Sequence, residues 1–210
     1  MAQPNPPPCQ PYTPVNGGGS CRQVSGPWVT GSDSGFNIYT LNCPSNTQAV
    51  NASAEFSGAA YPLGIQVGAG FGPGVNMGFT FEVLADPIPF SVTFEPWVAC
   101  LPRGTVDLPF RAQGGGTAEA FRIHVRTRRI RPRRHVRVRL GCPRGQRLVH
   151  SGSAVGFFTH RPPSPRVINA IRRRHHHHRT RSGTRTDVTA PADVGDNERV
   201  ELQVTTFCLP

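Results

Sequence analysis

The chain has 210 residues, 37% of them hydrophobic, with 23 Gly and 22 Pro. That is enough for one large or two small packed domains and excludes a wholly disordered chain. No stretch approaches the ~20 consecutive apolar residues of a membrane-spanning helix. All 23 basic residues are Arg, against 12 acids, for a formal charge of +11, and an Arg-only, Lys-free composition rich in Ala, Gly and Pro follows most simply from a GC-rich genome.

The first 14 residues, MAQPNPPPCQPYTP, have no charged n-region and no apolar run. They do not read as a signal peptide, so either an export signal has been removed or the disulfide reading given below fails. Residues 1–25 read as a Pro/Gly-rich lead-in, partly disordered. Residues 26–112 read as a first β unit. Within it Ile65, Val67, Ala69 and Phe71 alternate with Gln or Gly, Gly72-Pro73-Gly74 turns the chain, and Val75, Met77, Phe79, Phe81 and Val83 alternate with polar residues or Gly. Period-2 alternation around such a turn predicts a hairpin. A turn at Asp86-Pro87 leads into a strand from Phe90 to Cys100. Residues 113–120, containing Gln113-Gly114-Gly115-Gly116-Thr117, read as a flexible linker.

Residues 121–210 read as a second, Arg-rich β unit. Phe121, Ile123 and Val125 alternate with Arg122, His124 and Arg126, and Val136, Val138 and Leu140 alternate with Arg137 and Arg139. The two runs are expected to pair, joined by Arg128–Arg134, with one apolar face and one row of Arg. Val167, Asn169 and Ile171 are read as a strand running into IRRRHHHHRTR. Ser182-Gly183 is read as a turn, Thr184, Thr186, Val188 and Ala190 as the return strand, and Val200, Leu202 and Val204 as the last strand. The second core is expected to be thinner, because Asn169 and Thr186 sit where the first unit has apolar residues.

The two units match in outline. YTLNCPSNTQAVNASAEF (Tyr39–Phe56) and VRLGCPRGQRLVHSGSAVGF (Val138–Phe157) both place Leu two residues before Cys, Pro directly after it and Val seven residues after it, with a Ser-Ala pair close behind. Both units close alike, on Cys100-Leu101-Pro102 and Cys208-Leu209-Pro210. Six Cys without a C-x-x-C pair favour disulfides over zinc, and an oxidising compartment. Of the 15 connectivities six Cys allow, the repeat selects Cys43–Cys100 and Cys142–Cys208, leaving Cys9–Cys21. This Cys-framed pattern resembles the small two-cysteine β-sandwich repeats of uncharacterised secreted proteins from GC-rich, actinobacteria-like genomes, over about residues 36–102 and 121–210. The resemblance implies an exported, non-catalytic surface module and brings no binding or catalytic residues with it.

Nineteen Arg and all eight His lie between Phe121 and Arg185, where there is no Asp or Glu. A field of that density attracts polyanions such as a cell-wall polymer, an acidic polysaccharide or nucleic acid. The candidates to bind one are Arg122, Arg126, Arg137, Arg139, Arg172, Arg173, Arg174, Arg179 and Arg181. The window has no Trp or Tyr on which bases could stack, and no finger, helix-turn-helix or RNA-recognition motif. His175 and His177 share one face of an extended chain, which makes them weak metal candidates, since a specific site takes three or four ligands with supporting groups. Placed on the repeat, the His run lies at or near a hairpin tip, in the slot of Gly72-Pro73-Gly74. Gly31-Ser32-Asp33-Ser34-Gly35 lacks the upstream His of a serine-protease arrangement. Gly68, Gly70, Gly72 and Gly74 are spaced by two with no helix following, unlike a dinucleotide loop.

These readings predict an all-β protein of two tandem antiparallel β-sandwich-like units, each framed by one disulfide. They predict no cofactor and no enzyme activity. The expected function is a secreted or cell-envelope structural/interaction module, the alternative a polyanion- or nucleic-acid-binding protein.

Overall fold

The computed structural model describes residue 9 and residues 21–30, 37–57, 65–72, 75–83, 93–102, 122–177, 183–189 and 199–209, with only the backbone of 65–72, 75–77, 82–83 and 172–177. The chain is mostly antiparallel β-sheet. The strands are β1 (Arg22–Ser25), β2 (Trp28–Thr30), β3 (Asn37–Asn42), β4 (Thr47–Ser57), β5 (Ile65–Gly72), β6 (Val75–Val83), β7 (Thr93–Pro102), β8 (Arg122–Ile130), β9 (His135–Gly141), β10 (Arg147–Phe158), β11 (Arg172–His177), β12 (Gly183–Thr189) and β13 (Arg199–Leu209), with one short helix, α1 (Pro165–Ala170). They form a seven-stranded sheet, β1-β7-β2-β10-β13-β8 with β4 on the other edge of β7, and two three-stranded sheets, β3-β6-β5 and β9-β12-β11. All three disulfides pair as the repeat predicts: Cys9–Cys21, Cys43–Cys100 and Cys142–Cys208, with Cα–Cα distances of 5.8, 5.7 and 5.7 Å.

The Cys motifs have the same local structure twice. After Cys43 and after Cys142 the Pro carbonyl accepts a hydrogen bond from the N–H three residues on, Pro44 from Thr47 at 3.2 Å and Pro143 from Gln146 at 3.0 Å. The third residue of each turn is left-handed: Asn46 has φ 69° and Gly145 φ 87°. Asn and Gly are the residues that enter that region most readily. The strands that follow, β4 and β10, run into the same register against the closing Cys. Ala49 faces Cys100 and Leu148 faces Cys208, and the next residue on each, Val50 and Val149, is the bulge that both ladders skip. The shared Val seven residues after Cys is therefore a bulge residue. Val50 is buried with Ala99 and Leu101 against Cys9 and Cys21, while Val149 is 46% exposed. Beyond the bulge, Phe56 faces Phe94 and Val155 faces Leu202, each pair at the same count from its cysteines. The Ser-Ala pairs fall one residue out of step: in this register Ala54 answers Ser153.

The alternating hairpin of β5 and β6 is present, with Gly72 opposite Val75, and Val200, Leu202 and Val204 of the last strand are fully buried. Two expected elements differ. The run Val167, Asn169, Ile171 is not a strand: Ser164 caps helix α1, its Oγ accepting from Val167 N–H at 3.4 Å, and Pro165 opens the first turn. A side-chain cap followed by Pro with φ already near helical selects the helix, and Ile168 is buried while Val167 and Ile171 pack on the second core. The runs at 122–130 and 135–141 do not pair with each other either. β8 pairs with β13 and β9 with β12, so the turn at Arg131–Arg134 carries the chain from one sheet to another. The turns at Asp86-Pro87 and Ser182, the linker 113–120, and the Gly31–Gly35 stretch lie outside the described residues. Arg22–Ser25, the end of the lead-in, form β1 against β7.

One strand joins the halves. β2 pairs with β7 through Val29↔Phe94 and Thr30↔Thr93, and with β10 through Trp28↔Phe157, Val29↔Gly156 and Thr30↔Val155. Because successive strand residues point to opposite faces, Val29 enters one core, with Tyr39, Leu41, Phe79, Phe81 and Phe94, and Trp28 the other, with Val155, Phe157, Val188 and Leu202. β10 divides the same way, Ala154 to the first core and Val155 to the second. The cores thus lie on opposite faces of the large sheet. The second core is built on smaller residues, with Thr184 opposite Leu140 and Thr186 opposite Val138 where the first has Phe79 opposite Leu41 and Phe81 opposite Tyr39. It takes in the Trp28 indole from the first half.

Strand β3 also lies over β10 and β13. Thr40 N–H donates to Gln203 Oε1 at 2.6 Å, and Gln203 Nε2 donates to the Thr40 carbonyl at 3.0 Å, all buried. The Gln203 amide substitutes for a missing neighbour strand. Burial pushes the Tyr39 hydroxyl pKa up, and the Glu201 carboxylate beside it adds to this. A Gln203→Leu variant leaves a buried N–H and C=O unpaired, which costs about 3 kcal/mol. Urea unfolding followed by Trp fluorescence is expected to show that loss as a lower midpoint at unchanged slope.

Candidate functional site

The basic surface of residues 122–147 is positioned by two strands of different sheets. On β9 the alternation is clean: Val136, Val138 and Leu140 point inward, and His135, Arg137 and Arg139 form an exposed row. On β8 the alternation fails after Val125, and Thr127, Arg128 and Arg129 are all exposed before Ile130 is buried again. The turn between them closes with Arg134 N–H on the Arg131 carbonyl at 3.2 Å, and Arg133 is left-handed at φ 55°. The result is a compact cluster of exposed guanidiniums, Arg128, Arg129, Arg131, Arg133 and Arg134. Arg126 reaches across to the second sheet, its Nη1 donating to the Arg139 carbonyl at 2.9 Å.

One carboxylate lies among these cations. Asp187 on β12 stands opposite Arg137 and accepts from Arg137 Nε at 2.7 Å, Arg185 Nε and Nη2 at 2.8 Å, and meets His135 Nε2 at 3.2 Å. Its side chain is only 10% exposed, against 48% for Arg137 and 26% for Arg185. Burial alone would raise its pKa, but hydrogen bonds and charge from Arg137 and Arg185 overcome that and hold it at about 2. Asp187 was missed by the acid-free window, which ends two residues earlier. Its signal was Arg185-Thr186-Asp187, an opposite-charge pair at strand spacing on one face.

The structure separates the polyanion candidates. Arg122 and Arg126 are on β8, at the outer edge of the large sheet. Arg137 is engaged by Asp187, and Arg139 is exposed beside it. Arg172, Arg173 and Arg174 lie on β11, opposite Thr189, Val188 and Asp187, and their side chains are outside the described residues, as are Arg179 and Arg181 altogether. His175 and His177 are in the β11 ladder, opposite Thr186 and Thr184, so the tract enters the strand and does not occupy the turn slot alone. Their rings are likewise not described. Among the described residues no three His, Cys, Asp or Glu side chains gather as a metal site, and no helix is long and apolar enough to cross a membrane.

Elsewhere Arg199 lies 4.5 Å over the Phe158 ring and pairs with Glu201 at 2.6 Å. The described acids of the first half form a different arrangement: Glu55 on β4 stands directly opposite Glu95 on β7. Burial raises the Glu95 carboxyl above its ordinary pKa, and Glu55 adds to the rise. No protein-family model, curated protein or solved structure matches the chain.

The ion cluster predicts an acid-dependent stability. The folded pKa of Asp187 lies below its ordinary 3.8, so its contribution is fully present above about pH 5 and is lost as pH falls toward 2. Asp187→Asn is expected to cost about 2 kcal/mol at pH 7 and only about 0.5 kcal/mol at pH 2. Urea midpoints of both proteins across that range measure it.

Proposed function

We infer that the protein is a non-catalytic, extracellular or cell-envelope structural/interaction module, made from two copies of one disulfide-framed β-sandwich-like unit. The observation that carries this reading is the shared frame: the same left-handed turn, the same bulge and the same register to the closing Cys, after Cys43 and again after Cys142. The unit comprises β1 to β7 in the first copy and β8 to β13 in the second, with β1 and β2 together answering β8. Three disulfides fit an oxidising compartment. Each frame closes a loop of 57 or 66 residues, worth about 4 kcal/mol in the chain-entropy model.

Two measurements test it. Non-reducing peptide mapping of protein recovered from outside the cytosol is expected to return the three bridges; free thiols at Cys43 and Cys100 contradict the reading. The double variants Cys43→Ser/Cys100→Ser and Cys142→Ser/Cys208→Ser are expected to lose the same stability, about 4 kcal/mol each.

A second reading, binding of an anionic polymer, is favoured by the exposed guanidiniums of residues 128–134, none of which has a carboxylate partner among the described residues. Such binding depends on charge and not on base sequence, given the lack of aromatic platforms. Replacing Arg131 and Arg134 with Ser and Arg133 with Asn is expected to make the salt dependence of duplex-DNA affinity shallower by about 2–3 log units per log unit of salt. An unchanged slope contradicts this reading.

A further inference from the structure

The joint between the halves is made by two different surfaces: the outer edge of the first strand of one unit, β2, and the outer edge of the strand after the framing Cys of the other, β10. If both units are copies, each carries both surfaces, and only one of each is used within the chain. The unused pair is the outer edge of β8 and the outer edge of the C-terminal half of β4. Among the described residues β8 pairs only with β13, and residues 54–57 of β4 pair only with β7; β5 packs near β8, but Arg128 and Arg129 on its edge stay exposed.

The equivalence can be followed residue by residue. Val29 faces Phe94, six residues before Cys100, and Arg128 faces Leu202, six before Cys208. Thr30 and Arg129 correspond in the same way, through Thr93 and Glu201. On the other surface Phe56 corresponds to Val155 and Ser57 to Gly156. We propose that a second copy of this chain docks there, β8 of one molecule extending the sheet onto β4 of the next, with Arg128 opposite Ser57 and Arg129 opposite Phe56. This rests on the two-copy reading.

Charge favours this occupant. Residues 1–120 hold three Arg against seven carboxylates, and residues 121–210 hold twenty against five, so the halves that meet carry opposite net charge. In the proposed register Glu55 lies diagonal to Arg128, within reach of a long side chain. Glu95 occupies the position of Gln203, five residues before the closing Cys, and Arg139 that of Thr40, three before the opening Cys. Inside the chain Gln203 offers a donor and an acceptor to the Thr40 backbone. At the open joint the carbonyl of Arg139 is already taken by Arg126, leaving an N–H and a guanidinium to meet the acceptor-only Glu95. The Glu55–Glu95 pair, like-charged and directly opposed, has no cation partner among the described residues and gains one here. The two surfaces differ, so the contact is heterologous and propagates into a ring or filament instead of stopping at a dimer.

Sedimentation velocity on the intact, oxidised chain from micromolar to millimolar concentration tests this. The weight-average mass is expected to rise past twice that of the monomer and to fall back with added salt. Glu55→Arg/Glu95→Arg and Arg128→Glu/Arg139→Glu, checked for native circular dichroism, are each expected to remain monomeric, and an equimolar mixture of the two to regain assembly. A wild-type chain that stays monomeric with its three disulfides correctly mapped overturns the assembly and leaves the two-copy reading standing. Assembly that stops at two chains, or that neither double variant affects, also overturns it. A different disulfide map overturns the reading beneath it.

Discussion

Strand β2 is three residues long, and both cores depend on it. It is paired on both edges, with β7 on one side and β10 on the other. The pleat then sends Val29 into one core and Trp28 into the other. Gly156 is what lets the strands come this close. A Cβ there would stand 2.5 Å from Pro27 Cγ and 3.6 Å from the Tyr39 ring, so only Gly fits beneath the Gly26-Pro27 step. Gln203 secures the same face by holding the backbone of Thr40. The halves are therefore joined by a shared sheet with a core on each side of it.

Such a joint explains how a chain with thin apolar content holds two cores. Thr184 and Thr186 give the second core less volume than Phe79 and Phe81 give the first, and the indole of Trp28 is contributed across the joint. The disulfides do the complementary work. Cys43–Cys100 and Cys142–Cys208 each close a long loop between the end of a strand in a small sheet and a strand of the large sheet, so the two layers of each half are tied covalently. Cys9–Cys21 covers the bulge at Val50, whose counterpart Val149 has no such cover and stays exposed.

The parts of the fold readable in the sequence are those set by local pattern. Phe79 and Phe81 announced the hairpin strand, and Val200, Leu202 and Val204 the last strand, because period-2 burial acts within a few residues. Strand pairing is not local. Ile123 and Val125 alternate with Arg as Val136 and Val138 do, and nothing in that alternation says that the strands belong to different sheets. Val167, Asn169 and Ile171 fit a strand period, but the capping Ser164-Pro165 outweighed it. At the candidate site the Arg-rich window was readable from composition, but Arg128–Arg134 read only as a connection and not as the exposed cluster it forms; Asp187 was hidden by its place beyond the window, and the partners of Trp28 and Gln203 are more than a hundred residues away.

The joint also gives the uneven charge a physical meaning. Counted back from the closing Cys, Arg128 and Arg129 of β8 pair at the positions where Val29 and Thr30 of β2 pair, and the former are exposed where the latter are buried. Charged edges resist indiscriminate strand pairing and admit a partner of opposite sign. The account stands or falls on β10 being an interior strand, flanked by β2 as well as β13. Amide hydrogen exchange of the segment Val155–Phe157, the residues paired with β2, measures that directly. The account predicts protection of all its amides to the level of global unfolding, as for a strand paired on both edges; rapid exchange of the half that faces β2, with only the β13-facing amides protected, would contradict it.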